Sequence, residues 1–257
     1  MASKPIQNAP LAVVILAAGK GTRMNNPDIA KVMCPLGGKP MVDYVIDLAI
    51  RMSSARTLVI IGWKKETVRD HIAAYYSSVE CVEQNEQLGT GHAVKQTEET
   101  LKDHSGDVLV LSGDVPLLSL KTVTALVGYH RTTEALASIL TAELDNPSGY
   151  GRIVRNSDGS VMKIVEHKDA SPKELRIPEI NSGIYLFNKE KLFDSLRLLK
   201  PNNAQGEYYL TDVFENFWKN KWRVSAVKAV DPIEVMGIND VRQLETAETL
   251  LLSAKTP

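Results

Sequence analysis

The chain alternates short apolar runs rich in β-branched residues with stretches whose apolar residues recur at helical spacing. This alternation is typical of a parallel sheet covered by helices on both faces, because right-handed crossover helices connect successive strands. The first run, residues 11–18, is apolar throughout and stops at Gly19, which predicts a strand buried on both faces. The predicted fold class is therefore α/β, a Rossmann-like, mixed but mainly parallel sheet.

The remaining elements are predicted from the same periodicities. Further strands are expected at residues 57–62, 79–83, 107–111 and 181–187. Helices are expected at residues 41–52, 66–76, 91–101, 189–199, 210–220 and 240–254. Two β segments, residues 150–154 and 160–166, flank Asn156-Ser157-Asp158-Gly159, which is turn chemistry and predicts a hairpin. Residues 11–257 are expected to form a single domain behind a flexible N-terminal arm, residues 1–10.

The composition excludes several classes of protein. A chain of 257 residues with 44% hydrophobic and 24% charged residues can bury a sizeable core. The 30 basic and 31 acidic residues nearly cancel, so no overall charge attracts nucleic acid or an anionic membrane. Cys34 and Cys81 lie in no CxxC or Cys/His array, which argues against structural zinc and a disulfide framework and favours a reducing cytoplasm.

A glycine-rich loop follows the first strand, in the sequence Leu16-Ala17-Ala18-Gly19-Lys20-Gly21-Thr22-Arg23-Met24. It lacks the Walker A spacing, and Met24 stands where a dinucleotide fingerprint has its third glycine. A glycine-rich turn after a buried strand can bind an anion through backbone N–H groups, with Lys20 and Arg23 adding positive charge. The alternative is a tight turn with solvated basic residues.

Further polar segments, residues 84–90 and 112–114, also fall at predicted strand ends. Ligands in open α/β sheets bind at the carboxyl ends of strands, so these segments are expected to meet the glycine-rich loop at one rim. Taken singly, each candidate has a structural alternative. Asp114 could cap a turn as well as bind a cation, Asn239 could be a helix N-cap, and Lys31 could be an ordinary surface lysine. Gly151 could lie in a turn, Glu166 on the surface of the hairpin and Asn181 at the start of a strand.

In order along the chain, the motifs resemble the sugar-nucleotide pyrophosphorylase superfamily. The first half carries LAAGKGTRM, then Lys31, then QNEQLGTGHA from Gln84 and GDVPL from Gly113. The second half carries GYGRI from Gly149, VEHKDA from Val165, EINSGI from Glu179 and NAQGEYYLTD from Asn203. Together these motifs resemble the uridyltransferase domains of the bacterial N-acetylglucosamine-1-phosphate uridyltransferases, over about residues 11–254.

This resemblance implies the nucleotide-diphospho-sugar transferase fold and transfer of UMP from UTP to N-acetylglucosamine 1-phosphate. It implies that Mg2+ is the cofactor, held by Asp114 and Asn239, and that Arg23, Lys31 and Asp114 are catalytic. It implies that the sugar binds in the hairpin subregion, where Gly151, Glu166 and Asn181 would contact it. Its nucleotide site would consist of Leu16, Ala17, Ala18, Gly19, Lys31, Gln84, Gly89, Thr90, Ser112 and Gly113.

Three alternatives to this function remain open at the level of sequence. A related nucleotidyltransferase would use glucose 1-phosphate or dTTP, a nucleotide-sugar sensor would bind without turnover, and a Rossmann oxidoreductase is disfavoured by Met24. Bifunctional members of the family also carry a β-helix that acetylates glucosamine 1-phosphate and forms trimers. No hexapeptide repeat occurs in residues 1–257, so we expect no acetyltransferase activity from them, and the oligomeric state stays open.

Overall fold

A central mixed sheet organises the part of the chain that the computed structural model describes, residues 9–24 and 28–255. The strands are β1 (Leu11–Ala17), β2 (Pro35–Leu36), β3 (Lys39–Pro40), β4 (Arg56–Ile61), β5 (Val79–Glu83), β6 (Asp107–Ser112), β7 (Ala137–Glu143), β8 (Gly151–Arg155), β9 (Val161–Val165), β10 (Glu179–Asn188) and β11 (Val224–Lys228). Seven of them run in the order β11-β7-β10-β6-β1-β4-β5, and β8 and β9 extend from β10, whereas β2 and β3 form a separate two-stranded sheet. The strands β6, β1, β4 and β5 are mutually parallel, whereas β10 is antiparallel to both β6 and β7.

Helices cover both faces of this sheet. They are α1 (Met41–Arg51), α2 (Lys65–Tyr75), α3 (Thr90–Lys95), α4 (Leu120–Thr132), α5 (Lys189–Leu196) and α6 (Val213–Lys219), whereas α7 (Val241–Lys255) packs against β2. Alternate residues of β1 point to opposite faces, so Val13 and Ile15 pack in the core under α1, α2 and α4, while Ala12 and Val14 pack under α3, α5 and α6. The predicted mainly parallel α/β sheet is confirmed. No helix among the described residues has the length and apolar character needed to cross a bilayer.

Most predicted elements are present within three residues at each end, and one helix differs more. The helix predicted at residues 91–101 ends at Lys95, because the Thr97 hydroxyl donates to the Val94 carbonyl and most of the backbone bonds that follow are i to i+3. The helix predicted at residues 210–220 begins as a 3-10 turn, Leu210–Asp212, before α6. The elements β2, β3, α4, β7 and β11 were not predicted.

The predicted hairpin is present as β8 and β9, and Gly159 takes a φ of +83° in its turn. Strand β8 pairs with the outer part of β10, at Ile180 and Asn181, whereas β6 pairs with its inner part from Tyr185 onward. A gap therefore opens along one edge of β10 between the end of β6 and the start of β8. The predicted N-terminal arm lies largely outside the described residues, which begin at Ala9.

Candidate active site

Two adjoining clefts contain most of the predicted site residues. The first, called here the larger cleft, has a volume of about 510 Å³ and lies at the carboxyl ends of β1, β5 and β6. Nine residues of the predicted nucleotide site line it, namely Leu16, Ala17, Ala18, Gly19, Lys31, Gln84, Gly89, Thr90 and Ser112. The tenth, Gly113, lies beneath the cleft, where its N–H donates to the Leu16 carbonyl at 2.9 Å and a Cβ would come within 3.0 Å of that oxygen. The strand ends thus bring together segments that are far apart in the chain, from 28 residues between Gln84 and Ser112 to 96 between Leu16 and Ser112, as parallel-sheet topology predicts.

The glycine-rich loop places Lys31 beside this cleft. Gly21 has a φ of +61°, and a Cβ there would lie 2.4 Å from the Lys31 Cβ. Only glycine meets both requirements, because other residues strain at this φ and would collide with the lysine stem. The 3-10 turn that follows, Thr22–Met24, carries Arg23 to the same side.

A second glycine turn forms the opposite wall of the larger cleft. Gly89 has a φ of +109°, and a Cβ there would lie 2.6 Å from the Tyr208 carbonyl oxygen. The N–H of Gly91 donates to that carbonyl at 2.8 Å, and the Leu210 N–H donates to the Thr90 hydroxyl at 3.0 Å. Gln84 is buried, and its side-chain amide donates to the Gly89 carbonyl at 3.0 Å, which holds the turn closed.

The rim cluster consists of Arg23, Lys31, Asp114 and Asn239, at the edge of the larger cleft. The Lys31 ammonium forms an ion pair with Asp114 and donates to the Asn239 amide oxygen at 3.0 Å. Arg23 donates to the same amide oxygen at 3.1 Å. The four residues that were predicted to be catalytic or to hold the metal therefore lie together.

Backbone contacts fix the two oxygen donors of the rim cluster. The Asn239 side-chain N–H donates to the Gly237 carbonyl at 3.2 Å, which turns the amide oxygen toward the cations. The Ile238 N–H donates to the Asp114 carbonyl at 2.8 Å and ties the segment before α7 to the end of β6. A Cβ on Gly237 would lie 3.3 Å from the Asn239 amide nitrogen and 3.6 Å from Asp114 Oδ2, so glycine permits this close approach.

The donor set of the rim cluster fits a hard divalent cation. Asp114 and Asn239 each direct an oxygen at one nitrogen, Lys31 Nζ, so the two oxygens already converge on a single positive charge. Mg2+ prefers such oxygen ligands and is usually held by one or two carboxylates, with water and substrate phosphates completing the shell. No group of three or more His, Cys, Asp or Glu side chains that could hold a metal ion occurs within residues 9–24 and 28–255.

The smaller cleft, of about 200 Å³, adjoins the larger one and shares Leu16, Thr90 and Ser112 with it. Gly151, Glu166 and Asn181, the predicted sugar-site residues, all line it. A Cβ on Gly151 would lie 3.2 Å from Glu166 Oε2 and 3.4 Å from the Asn181 Cβ, so the cleft depends on glycine at this position.

The smaller cleft contains a buried carboxyl group, that of Glu166. Burial raises the pKa of Glu166 above its ordinary value of 4.5, and the Thr211 hydroxyl, which donates to Oε1 at 3.0 Å, opposes that rise. Thr211 and Tyr185 line the cleft but were not among the predicted site residues. Thr211 belongs to a motif used for the resemblance, whereas nothing local in the sequence singles out Tyr185.

The sequence matches known nucleotidyltransferases. A family model described as a nucleotidyl transferase matches residues 12–231. The chain is 46% identical over 241 residues to the bifunctional protein GlmU of Pelotomaculum thermopropionicum, which covers 94% of this chain and 52% of that protein. It is 47% identical over 236 residues to the bifunctional protein GlmU of Exiguobacterium sibiricum, and this match covers 92% of this chain and 52% of that protein. The chain therefore spans about half the length of the curated relatives it matches.

A solved structure shares the fold. UDP-glucose pyrophosphorylase complexed with UDP-glucose superposes with a TM-score of 0.76 at 18% identity, covering 96% of this chain and 100% of that one. At this identity the likeness concerns the fold alone, and it confirms the predicted nucleotide-diphospho-sugar transferase fold.

Proposed function

Because the chain belongs to the nucleotidyl transferase family, we propose that it transfers UMP from UTP to N-acetylglucosamine 1-phosphate, giving UDP-N-acetylglucosamine and pyrophosphate. One observation carries this proposal: two clefts share a wall at Leu16, Thr90 and Ser112, and the larger one is lined by Lys31 and Asp114 of a rim with two cations and two oxygen donors. The larger cleft would hold the nucleotide, and the smaller cleft would hold the sugar, so the two phosphates would meet at the rim cluster.

The reaction needs charge neutralisation more than proton transfer. A sugar phosphate is largely dianionic at neutral pH, since its second pKa is about 6, so no general base is required for attack. The obstacle is to bring that anion against the α-phosphate of a triphosphate in line with the departing pyrophosphate. Arg23 and Lys31 would bind the triphosphate and stabilise the charge on the transferred and leaving groups.

Members of this family generally use a divalent metal ion, and we propose Mg2+ in particular. Asp114 and Asn239 would hold it, and the ion would supply Lewis-acid stabilisation of phosphate oxygens from both substrates. Lys31 would then leave the two oxygen donors and bind phosphate instead.

The two clefts suggest which parts of the substrates are recognised. Gln84, Gly89 and Thr90 would bind the uridine nucleotide, with Gly113 supporting the loop from below. Gly151, Glu166 and Asn181 would bind the amino sugar. We propose that residues 11–257 act as one unit with small-molecule substrates in the cytoplasm, a reducing compartment that suits the free thiols of Cys34 and Cys81.

A pyrophosphate-release assay with a substrate panel tests the proposal. UTP with N-acetylglucosamine 1-phosphate should be the preferred pair, and activity should require Mg2+. Preference for glucose 1-phosphate or for dTTP would favour the related nucleotidyltransferases. Binding of UTP without pyrophosphate release from any pair would favour a sensor.

A further inference from the structure

A bulge in β10 brings together two side chains that a regular strand would separate. Asn181 and Tyr185 are four residues apart, a distance of roughly 13 Å along an extended strand. Here the Asn181 side-chain N–H donates to the Tyr185 hydroxyl oxygen at 2.6 Å. Asn181 pairs with Thr141 of β7, and Tyr185 pairs with Ile139. Strand β10 therefore advances four residues where β7 advances two, and the two additional residues form the bulge.

The bulge is held by its own hydrogen bonds. Gly183 takes a φ of +79° at its centre, a conformation that favours glycine. The Ser182 hydroxyl donates to the Leu140 carbonyl at 2.6 Å and accepts from the Ile184 N–H at 3.2 Å. These contacts fix the backbone on both sides of Gly183, in the gap between β6 and β8.

The same geometry fixes which way the Asn181 amide faces. The Gly183 N–H can only donate, and it lies 3.3 Å from Asn181 Oδ1, so this atom must be the oxygen. The amide nitrogen then donates one hydrogen to Tyr185, whose ring packs against Phe187 and Phe214 with centroid separations of 5.6 Å. Both Asn181 and Tyr185 line the smaller cleft, so the second amide hydrogen is left for a ligand there.

We propose that Tyr185 is a positioning and specificity residue, which locks the Asn181 amide so that it offers an N–H donor to the smaller cleft. This inference rests on the proposed function, which places the sugar in that cleft. A fixed donor suits the carbonyl oxygen of an acylamino group on the sugar. It disfavours a free amino sugar, whose ammonium group is itself a donor and meets no acceptor at that atom.

Binding titrations of nucleotide ligands to Tyr185→Phe test the proposal without requiring turnover. This substitution removes the hydroxyl and keeps the packed ring. The affinity for UDP-N-acetylglucosamine should fall roughly fivefold, the size of one hydrogen bond, while the affinity for UDP changes less than about twofold. The preference for UDP-N-acetylglucosamine over UDP-glucosamine should fall by a similar factor. Tyr44→Phe is the matched control, because its hydroxyl bonds the Leu36 carbonyl at 2.7 Å outside both clefts.

Two further variants separate positioning from a general structural effect. In an Asn181→Ala background, Tyr185→Phe should change UDP-N-acetylglucosamine binding less than about twofold, since the hydroxyl acts through the missing amide. Gly183→Ala keeps the test available if Tyr185→Phe does not fold, because it strains the bulge at a φ of +79° while its added Cβ would contact only Ser112 Oγ, at 3.5 Å. Gly183 also lines the smaller cleft, so its loss of UDP-N-acetylglucosamine affinity should shrink to less than about twofold in an Asn181→Ala background, which direct steric hindrance by the methyl group would not do.

Unchanged UDP-N-acetylglucosamine binding by folded Tyr185→Phe, or equal losses for UDP and the sugar nucleotide, would overturn this inference alone. Wild-type protein that binds neither nucleotide would contradict the proposed function as well.

Discussion

Lys31 and Asp114 stand 83 residues apart in the chain and form an ion pair at the rim of the larger cleft. The same ammonium group reaches the Asn239 amide oxygen, which lies 208 residues farther along the chain than Lys31. Two oxygen donors thus converge on one cation at the edge of the larger cleft. The predictions below follow from this arrangement and from the residues that support it.

Asp114→Asn should remove most of the turnover. The substitution keeps the size of the side chain but removes the charge that would bind the metal ion. The kcat for pyrophosphate release should fall about 100- to 1,000-fold, as for the loss of one charge-stabilising group at a comparable site. The exposed Asp103→Asn variant controls for loss of an aspartate. Near-normal kcat in Asp114→Asn would contradict the assignment of the metal ligand.

Lys31→Met should bind metal more tightly than the wild type while losing activity. In the structure the ammonium group occupies the oxygen donors, so free metal must displace it. If the competent arrangement is populated to about 1 to 10%, removing the competitor should raise Mn2+ affinity roughly ten- to hundredfold. Electron paramagnetic resonance titration of Mn2+ without nucleotide measures this directly. Equal or weaker Mn2+ binding by Lys31→Met would show that the lysine does not compete.

Gly21→Ala should damage the larger cleft more than its backbone strain alone explains. A methyl group there collides with the Lys31 stem, whereas Gly38 has a φ of +95° and nothing within 4 Å of an added Cβ. Gly38→Ala is therefore a matched control for backbone strain, and both variants should lose about 1 kcal/mol or more of stability. Only Gly21→Ala should also raise the KM for UTP. Matching UTP kinetics in the two variants would argue against the steric effect on Lys31.

Glu166 should impose a pH dependence on use of the sugar phosphate. Its carboxylate is lost as the pH falls through a pKa that burial has raised above 4.5, so kcat/KM for N-acetylglucosamine 1-phosphate should decline on the acid side of the profile. Thr211→Ala removes the hydroxyl that lowers this pKa, so the decline should begin at higher pH. The substrate phosphate titrates equally with every variant and cancels in the comparison.

Glu166→Gln is the control for that profile. It should raise the KM for the sugar phosphate more than that for UTP. It should also remove the part of the decline in kcat/KM at low pH that comes from protonation of Glu166, leaving only the part that comes from the substrate phosphate. A decline that persists unchanged in Glu166→Gln would assign the pH dependence to another group.

The missed elements show where sequence periodicity fails. Strand β7 contains Ser138 and Thr141, which interrupt its apolar pattern, yet both are fully buried. The Ser138 hydroxyl is satisfied by His130 at 2.8 Å and by Ser225 at 2.6 Å, and these partners are distant in sequence or in neighbouring elements. Helix α4 is rich in threonine and valine, which lowers its helix propensity. The strand β7 and the helix α4 therefore depend on tertiary contacts, which the local sequence pattern does not reveal.

The candidate site was more predictable where it depends on strand ends. Gly19, Gln84 and Ser112 follow or end parallel strands of the central sheet, and this topology alone brings them to one rim. The role of Tyr185 depends instead on a two-residue bulge, because the rise along a regular strand would place it roughly 13 Å from Asn181. Chain order likewise gives no hint that Asn239 meets Lys31.

The location of the metal ion tests the central claim most directly. Crystals soaked with UDP-N-acetylglucosamine and Mn2+ should show an anomalous peak bonded to oxygens of Asp114, Asn239 and the diphosphate, with the Lys31 ammonium moved onto phosphate. A bound product with no ion between Asp114 and Asn239, or with these side chains turned away from the diphosphate, would contradict it.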